Sequence, residues 1–92
     1  MQIELTKRFL AAEKRLNAVD AAAVDTALAQ LLATFGRPHT HTGASVRPIR
    51  PPVYELRASR ALRIVFVRQG DTLKVDFVGS HDEIAAYLRN LR

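Results

Sequence analysis

The chain has 92 residues, no cysteine and a formal net charge of +5 at pH 7. This length fits one domain, and the lack of cysteine excludes disulfide frameworks and zinc–thiolate sites. No apolar run approaches the roughly 20 residues of a membrane-spanning helix, and Met1–Leu5 lacks the apolar core of a signal peptide, so a cytoplasmic protein is expected. Eleven of the fourteen basic residues are arginine. Because a guanidinium grips phosphate with a planar fork, the composition suggests an anionic partner, either nucleic acid or an acidic protein segment.

The first 35 residues predict one strand and two helices. Met1–Leu5 alternates like a strand, and Thr6 is a suitable N-cap for the helix that follows. Asn17 is expected to end this first helix and Asp20 to cap the second. The apolar stripes at helical spacing are Leu5, Phe9, Ala12 and Leu16, and then Val24, Leu28, Leu31 and Phe35. Because the turn between the two helices, from Asn17 to Asp20, is so short, they are expected to form an antiparallel helical hairpin. Gly36 and Pro38 are expected to end the second helix.

A loop is predicted from Arg37 to Pro52, because this segment holds all four prolines. At about sixteen residues it is longer than most connections, and such loops are usually functional or mobile. Its His39-Thr-His41 pair lacks a third ligand nearby in the sequence, so no metal or other cofactor is expected. Arg47 and Arg50 make its last part a candidate grip on a phosphate backbone, or simply a stiff entry into a strand.

Three strands and a final helix are predicted in the second half. The segments 53–58, 62–67 and 73–78 alternate, with turns at 59–60 and 69–71, and the short connections require an antiparallel meander. The side chains expected to face the hairpin are Tyr54, Leu56, Ala58, Leu62, Ile64, Phe66, Leu73, Val75 and Phe77. The opposite face then carries Glu55, Arg57, Arg63, Lys74 and Asp76.

A capping box, Ser80 with Glu83, opens the last helix, whose apolar positions are Ile84, Tyr87, Leu88 and Leu91. The predicted fold is therefore α+β. A helical hairpin packs on a small, mostly antiparallel four-stranded sheet, and a C-terminal helix follows.

Arg57 and Arg63 lie on neighbouring strands and on one face, so their guanidiniums can converge on one phosphate. The alternative is a solvent face of salt bridges to Glu55 and Asp76, although exposed pairs contribute only about 0 to 1 kcal/mol. His81, in the first turn of the last helix, is either a proton-transfer group or an exposed residue of no consequence. Tyr87 is either a functional residue or an amphipathic residue at the edge of the core, on the apolar stripe of the same helix.

The order of elements, with Tyr54-Glu-Leu-Arg57 and Leu62-Arg-Ile-Val-Phe66, resembles the RelE/ParE superfamily of bacterial type II toxins. The resemblance is to the RelE and HigB side in particular and covers essentially the whole chain. It implies a toxin that cleaves mRNA on the ribosome, inhibits translation and is restrained by a cognate antitoxin.

The resemblance also implies roles for individual residues. RNA cleavage without a metal needs the 2′-hydroxyl deprotonated, the phosphorane charge stabilised and the leaving 5′-oxygen protonated. The catalytic residues expected are Arg57 and Arg63 for charge, His81 as acid, Glu55 as a possible base and Tyr87 to orient or stack on a base. Further RNA contacts are expected from Arg47, Arg50, Arg60 and Lys74. RelE itself has Lys in place of Glu55 and Arg in place of His81, so proton transfer would depend on His81, as in the YoeB-like branch.

Two alternatives keep this fold. A ParE-like toxin would bind DNA gyrase instead of cleaving RNA. That branch generally lacks the catalytic basic residue and the proton-transfer residue that Arg63 and His81 represent here. The other alternative is a non-enzymatic module that binds RNA or protein through the same basic face.

Overall fold

The computed structural model describes residues 1–35 and 45–91, which form three helices and one five-stranded mixed sheet. In chain order the elements are β1 (Gln2–Leu5), α1 (Lys7–Glu13), α2 (Ala18–Thr34), β2 (Ser45–Arg50), β3 (Val53–Arg57), β4 (Arg63–Gln69), β5 (Thr72–Gly79) and α3 (His81–Arg89). The strand order is β1-β5-β4-β3-β2, with β1 parallel to β5 and the other neighbours antiparallel. The predicted α+β class is confirmed, with five strands instead of four.

The additional strand is β2, which lies in the segment predicted to be a loop and corrects that prediction. It pairs with β3 from Ser45 opposite Arg57 to Arg50 opposite Val53. Pro48 has no N–H to donate but is tolerated because β2 is an edge strand. The predicted stop at Gly36 and Pro38 and the pair His39 and His41 lie outside the described residues.

Side chains cap the first two helices. The Thr6 hydroxyl accepts a hydrogen bond from the Phe9 N–H at 3.1 Å, as predicted. The cap of α2 is Asn17, whose side-chain oxygen accepts from the Asp20 N–H at 2.8 Å. The prediction of Asp20 as the cap was wrong: Asp20 occupies the first turn, where its charge complements the helix dipole.

The main core lies between these two helices and one face of the sheet, as predicted. Phe9, Val24 and Leu31 from the helices are fully buried there. The buried sheet residues in this core are Leu56, Ile64, Phe66, Leu73, Val75 and Val78, and Leu62, just before β4, is buried with them. Within the described residues, no helix is both long enough and apolar enough to cross a membrane.

A β-bulge at Asp76 changes the face that the end of β5 presents. Val75 pairs with Phe66 and Phe77 pairs with Val65, which leaves Asp76 without a partner on β4. The uninterrupted alternation predicted for β5 was therefore wrong beyond Val75, because a bulge inserts one extra residue. Val78 is buried in the main core, whereas Phe77 stacks on Tyr87 of α3 and packs against both the α3 cluster and the edge of the main core.

Helix α3 covers the middle of the other sheet face, where Ile84 and Tyr87 are buried against Val65. The predicted capping box is present. The Ser80 N–H donates to the Glu83 carboxylate at 2.9 Å, and the Glu83 N–H donates to the Ser80 hydroxyl at 3.2 Å. The box fixes the first turn of α3, and with it the position of His81.

Candidate functional site

Five polar side chains line a cleft of about 360 Å³ beside the first turn of α3. They are Arg47, Glu55, Arg57, Arg63 and His81. The strand register brings them together, because Arg47 lies opposite Glu55 and Arg57 lies opposite Arg63, and directly opposite residues share a face. This surface, called the arginine cleft below, thus unites five of the nine residues proposed from the sequence.

The guanidinium of Arg63 is held on two sides. Its Nε lies 3.4 Å from Oε1 of Glu55, and its Nη1 donates to the carbonyl oxygens of Ser59 at 3.2 Å and Arg60 at 3.1 Å. Only 13% of the side chain is exposed. The turn between β3 and β4 and the carboxylate on β3 therefore fix this guanidinium before any ligand arrives, which is the condition for a preorganised charge.

Glu55 holds two arginines at once. While Oε1 faces Arg63, Oε2 lies 3.3 Å from Nη2 of Arg47, and only 12% of the Glu55 side chain is exposed. Each carboxylate oxygen is thus engaged by a guanidinium, so neither could accept a substrate proton without losing an ion pair. These contacts favour a positioning role over the general-base role suggested by the sequence.

The side chains of Arg57 and His81 are both exposed and have no hydrogen bond or ion pair with any other described residue. The residue opposite Arg57 on β4 is Arg63, a like charge. An anion between these two guanidiniums would replace their repulsion by two attractions. The arginine cleft therefore has the charge and the open space to take a phosphate group.

Three other predicted RNA contacts lie outside the cleft. Arg60 is exposed in the turn after β3 and contributes its carbonyl oxygen to Arg63. Arg50 lines a neighbouring groove between β2 and α3. Lys74 lines a depression next to Leu91, just beyond the other end of α3.

Tyr87 was expected among the catalytic residues, but the structure places it in a different cluster, outside the arginine cleft. Its hydroxyl donates to the carboxylate of Asp76, and its ring stacks on Phe77 with centroids 4.9 Å apart. Arg8 lies over the ring at 5.5 Å, and its Nη1 is 3.4 Å from Asp76. Burial and the hydrogen bond to Asp76 raise the pKa of the Tyr87 hydroxyl well above its ordinary value. In this cluster Tyr87 ties α3 to the sheet.

Sequence reasoning did not identify Arg8 and Asp76 as partners of Tyr87. The two residues are 68 positions apart in the chain, and the bulge at Asp76 has no signal in an alternating pattern. In residues 1–35 and 45–91, no three His, Cys, Asp or Glu side chains are grouped so as to hold a metal ion.

No protein-family model matches the chain, and no curated protein matches it either. Solved structures do match its fold. A copper-bound mutant toxin from Helicobacter pylori is 19% identical, with a TM-score of 0.71 over 91% of this chain and 98% of that one. A chain of the RelB-RelE antitoxin-toxin complex from Methanococcus jannaschii is 15% identical, with a TM-score of 0.69 over 90% and 95%. The isolated RelE toxin of E. coli is 19% identical, with a TM-score of 0.61 over 97% of both chains. This protein therefore has a RelE-like toxin fold, and the resemblance seen in the sequence is confirmed at the level of the fold.

Proposed function

We propose that this chain is the toxin of a type II toxin–antitoxin pair and that it cleaves mRNA on the ribosome at the arginine cleft. The observation that carries the proposal is the convergence of Arg47, Arg57, Arg63 and His81 on one open cleft in which Arg57 has no counter-ion among the described residues. The fold shared with RelE toxins supports the same assignment.

In the proposed reaction the 2′-oxygen of a ribose attacks the adjacent phosphorus as the bond to the 5′-oxygen breaks. The products are a 2′,3′-cyclic phosphate and a 5′-hydroxyl end, so no water is consumed. Negative charge grows on the non-bridging oxygens in the transition state, where Arg57 and Arg63 would stabilise it. Because Arg63 is already fixed by Glu55 and the turn carbonyls, little reorganisation accompanies that step.

His81, protonated as the imidazolium, would donate a proton to the leaving 5′-oxygen and regain one from solvent, since its ring lines the cleft with no competing partner among the described residues. The proton of the 2′-hydroxyl would pass to water, because the carboxylate in the cleft, Glu55, is engaged by Arg47 and Arg63. Glu55 would then serve the reaction by holding these two guanidiniums in place.

The proposed partner besides RNA is a cognate antitoxin with an acidic segment that covers the cleft. The chain carries a formal charge of +5, and a carboxylate docked between Arg57 and Arg63 would relieve their repulsion just as a phosphate would. Structures with the same fold were solved as a RelB-RelE complex and as a DinJ-YafQ complex, which supports this type of pairing.

Inducing the chain in cells and mapping mRNA 5′ ends tests the function. We expect new 5′-hydroxyl ends within translated messages, and none from an Arg63→Ala, His81→Ala double variant. Arg68→Ala is the matched control, because it removes an exposed arginine that stacks on Phe35 on the helix side of the sheet and should leave the cuts unchanged.

Full toxicity of the double variant would overturn the nuclease proposal. A DNA-damage response from the parent chain without RNA cuts would support gyrase binding instead. If the parent chain caused neither RNA cuts nor a DNA-damage response, a non-enzymatic binding module would be the function that remains.

A further inference from the structure

A second groove adjoins the arginine cleft and runs between β2 and α3. It is a shallow, open depression of about 490 Å³, and its lining residues are Ile49, Arg50, Ala85, Leu88 and Arg89. The floor is aliphatic, whereas the side chains of Arg50 and Arg89 are exposed and have no hydrogen bond or ion pair with another described residue. This β2–α3 groove therefore combines an apolar surface with two uncompensated positive charges.

The register of β2 places Arg50 on the same side of the sheet as the cleft. Residues three apart in a regular strand point to opposite faces, but the register shifts at Ile49. As a result Arg47 lies opposite Glu55 and Arg50 lies opposite Val53. Val53 packs with the α3 side of the sheet, and Glu55, two residues further on, shares that face. Both arginines of β2 thus lie on the α3 side of the sheet.

The helical wall of the groove is continuous with the cleft as well. His81 lines the cleft, whereas Ala85, Leu88 and Arg89 line the groove, and spacings of three and four place such residues on one stripe of a helix. Because Arg47 and Arg50 lie opposite residues that are only two apart on β3, they are separated by about 7 Å along the strand, at roughly 3.3 Å per residue. His81 and Arg89 are about 12 Å apart along the axis, at roughly 1.5 Å per residue. Along both β2 and α3 the groove therefore follows the cleft, and basic residues line both.

We propose that the β2–α3 groove holds the RNA strand beyond the scissile phosphate, an inference that rests on the proposed function. Arg50 and Arg89 bind a backbone phosphate of a flanking nucleotide, and a base packs on Ile49 and Leu88. An acidic protein segment would satisfy the same charges, but continuity with the cleft favours the strand already bound there. No lining side chain other than the two arginines can hydrogen-bond a base edge, so this contact tolerates any base.

Binding of a fluorescent single-stranded RNA of about ten nucleotides tests the proposal, with 2′-deoxyribose at the scissile position to block cleavage. An Arg50→Ala, Arg89→Ala double variant should lose about tenfold or more in affinity. The slope of log affinity against log salt should fall by about 0.7, since the variant loses one phosphate contact and each such contact of a single strand contributes about 0.7. Arg68→Ala is the matched control for charge, with each arginine also replaced singly.

Length dependence separates the groove from the cleft. A dinucleotide that occupies only the cleft should bind the double variant and the parent chain equally, whereas Arg57→Ala should weaken both lengths. In cleavage of ribosome-bound mRNA the double variant should show a raised KM with an unchanged kcat, the pattern of lost uniform binding.

Unchanged affinity and salt slope in the double variant would overturn the groove proposal, and so would a parent chain that does not bind the longer RNA. A double variant that loses affinity for an acidic antitoxin segment but not for RNA would make the groove a protein-docking site. If the parent chain bound RNA through the groove but never cleaved it, the nuclease proposal would be rejected and the groove proposal would stand.

Discussion

The fixed guanidinium of Arg63 explains why its replacement should affect chemistry more than folding. Arg63→Ala removes a preorganised charge and should lower single-turnover cleavage on programmed ribosomes by about 10²-fold or more. Arg63→Lys should restore little of the rate, because an ammonium lacks the fork that spans Glu55 and the turn carbonyls. A Lys variant that cleaves at nearly the parent rate would contradict this role.

His81 should matter only when the leaving oxygen needs a proton. His81→Ala should slow cleavage by roughly 10² to 10⁴ on ordinary RNA. On a substrate with a 5′-thio leaving group, which departs without protonation, most of that loss should disappear. Ribosome affinity, measured in parallel by sedimentation, should stay at the parent value. An equal loss on both substrates would assign His81 to a step other than leaving-group protonation.

Glu55→Gln separates a positioning role from a base. The amide keeps the shape of the side chain but removes both ion pairs, so Arg47 and Arg63 lose their anchor while the cleft gains positive charge. We expect tighter RNA binding together with a lower kcat. The pH–rate profile decides between the two roles, because loss of its acidic limb in the variant would reinstate Glu55 as the base.

At the scale of elements, α3 depends on Tyr87 for its attachment to the sheet. Tyr87→Phe removes the hydrogen bond to the Asp76 carboxylate and should lower the free energy of unfolding by about 2 kcal/mol. Cleavage by the folded variant should hardly change, because the ring lies outside the cleft. Tyr54→Phe is the matched control, since its hydroxyl has no partner among the described residues.

The same variant should alter stability at alkaline pH. The folded chain keeps the Tyr87 proton to a higher pH than the unfolded chain does, because its pKa is raised. The stabilisation is therefore complete below the unfolded pKa of about 10 and declines as the pH rises above it. Denaturation curves from pH 8 to 11 should show a shallower decline for Tyr87→Phe than for the parent chain. Parallel declines would contradict the raised pKa.

The elements with regular periodicity were the ones that the sequence predicted well. The stripes of α1 and α2, the strands β3 and β4 and the Ser80 capping box follow local rules of spacing and capping. Strand β2 was missed because Pro48 suggests a loop, and only pairing with β3 makes the segment extended.

Much of the candidate site could be predicted from the alternation of side chains between the two faces of a strand. Arg57, Arg63 and Glu55 could be placed together because β3 and β4 alternate without interruption. The sequence alone did not show that Tyr87 lies outside the arginine cleft, because its partner Asp76 is directed to α3 by the bulge. Bulges are set by long-range packing and leave no mark in a single strand's pattern.

At the scale of the whole molecule, the central strand β4 is buried from both sides. Phe66 faces the two N-terminal helices and Val65 faces α3, and both are fully buried. The sheet thus lies between two helical layers, with the arginine cleft beside the first turn of the smaller one.

The helical layer on the Phe66 side can be tested by a pair of adjacent substitutions. Leu31 is fully buried, whereas Leu32 is 48% exposed. Leu31→Asp buries a charge without a partner and should cost several kcal/mol, which is a large share of a typical domain stability of about 5 to 15 kcal/mol. Leu32→Asp should change stability by less than about 0.5 kcal/mol. Equal melting temperatures for the two variants would reject this packing.

The parallel pairing of β1 with β5 has a consequence for the order in which the chain is made. Gln2 pairs with Thr72 and Leu5 with Val75, so β1 stays without this partner until β5, much later in the chain, has been synthesised. Contacts between such distant segments form late in folding, and His81 follows β5 directly. A nascent chain therefore has neither the β1–β5 pairing nor a complete arginine cleft until β5 and His81 have emerged from the ribosome.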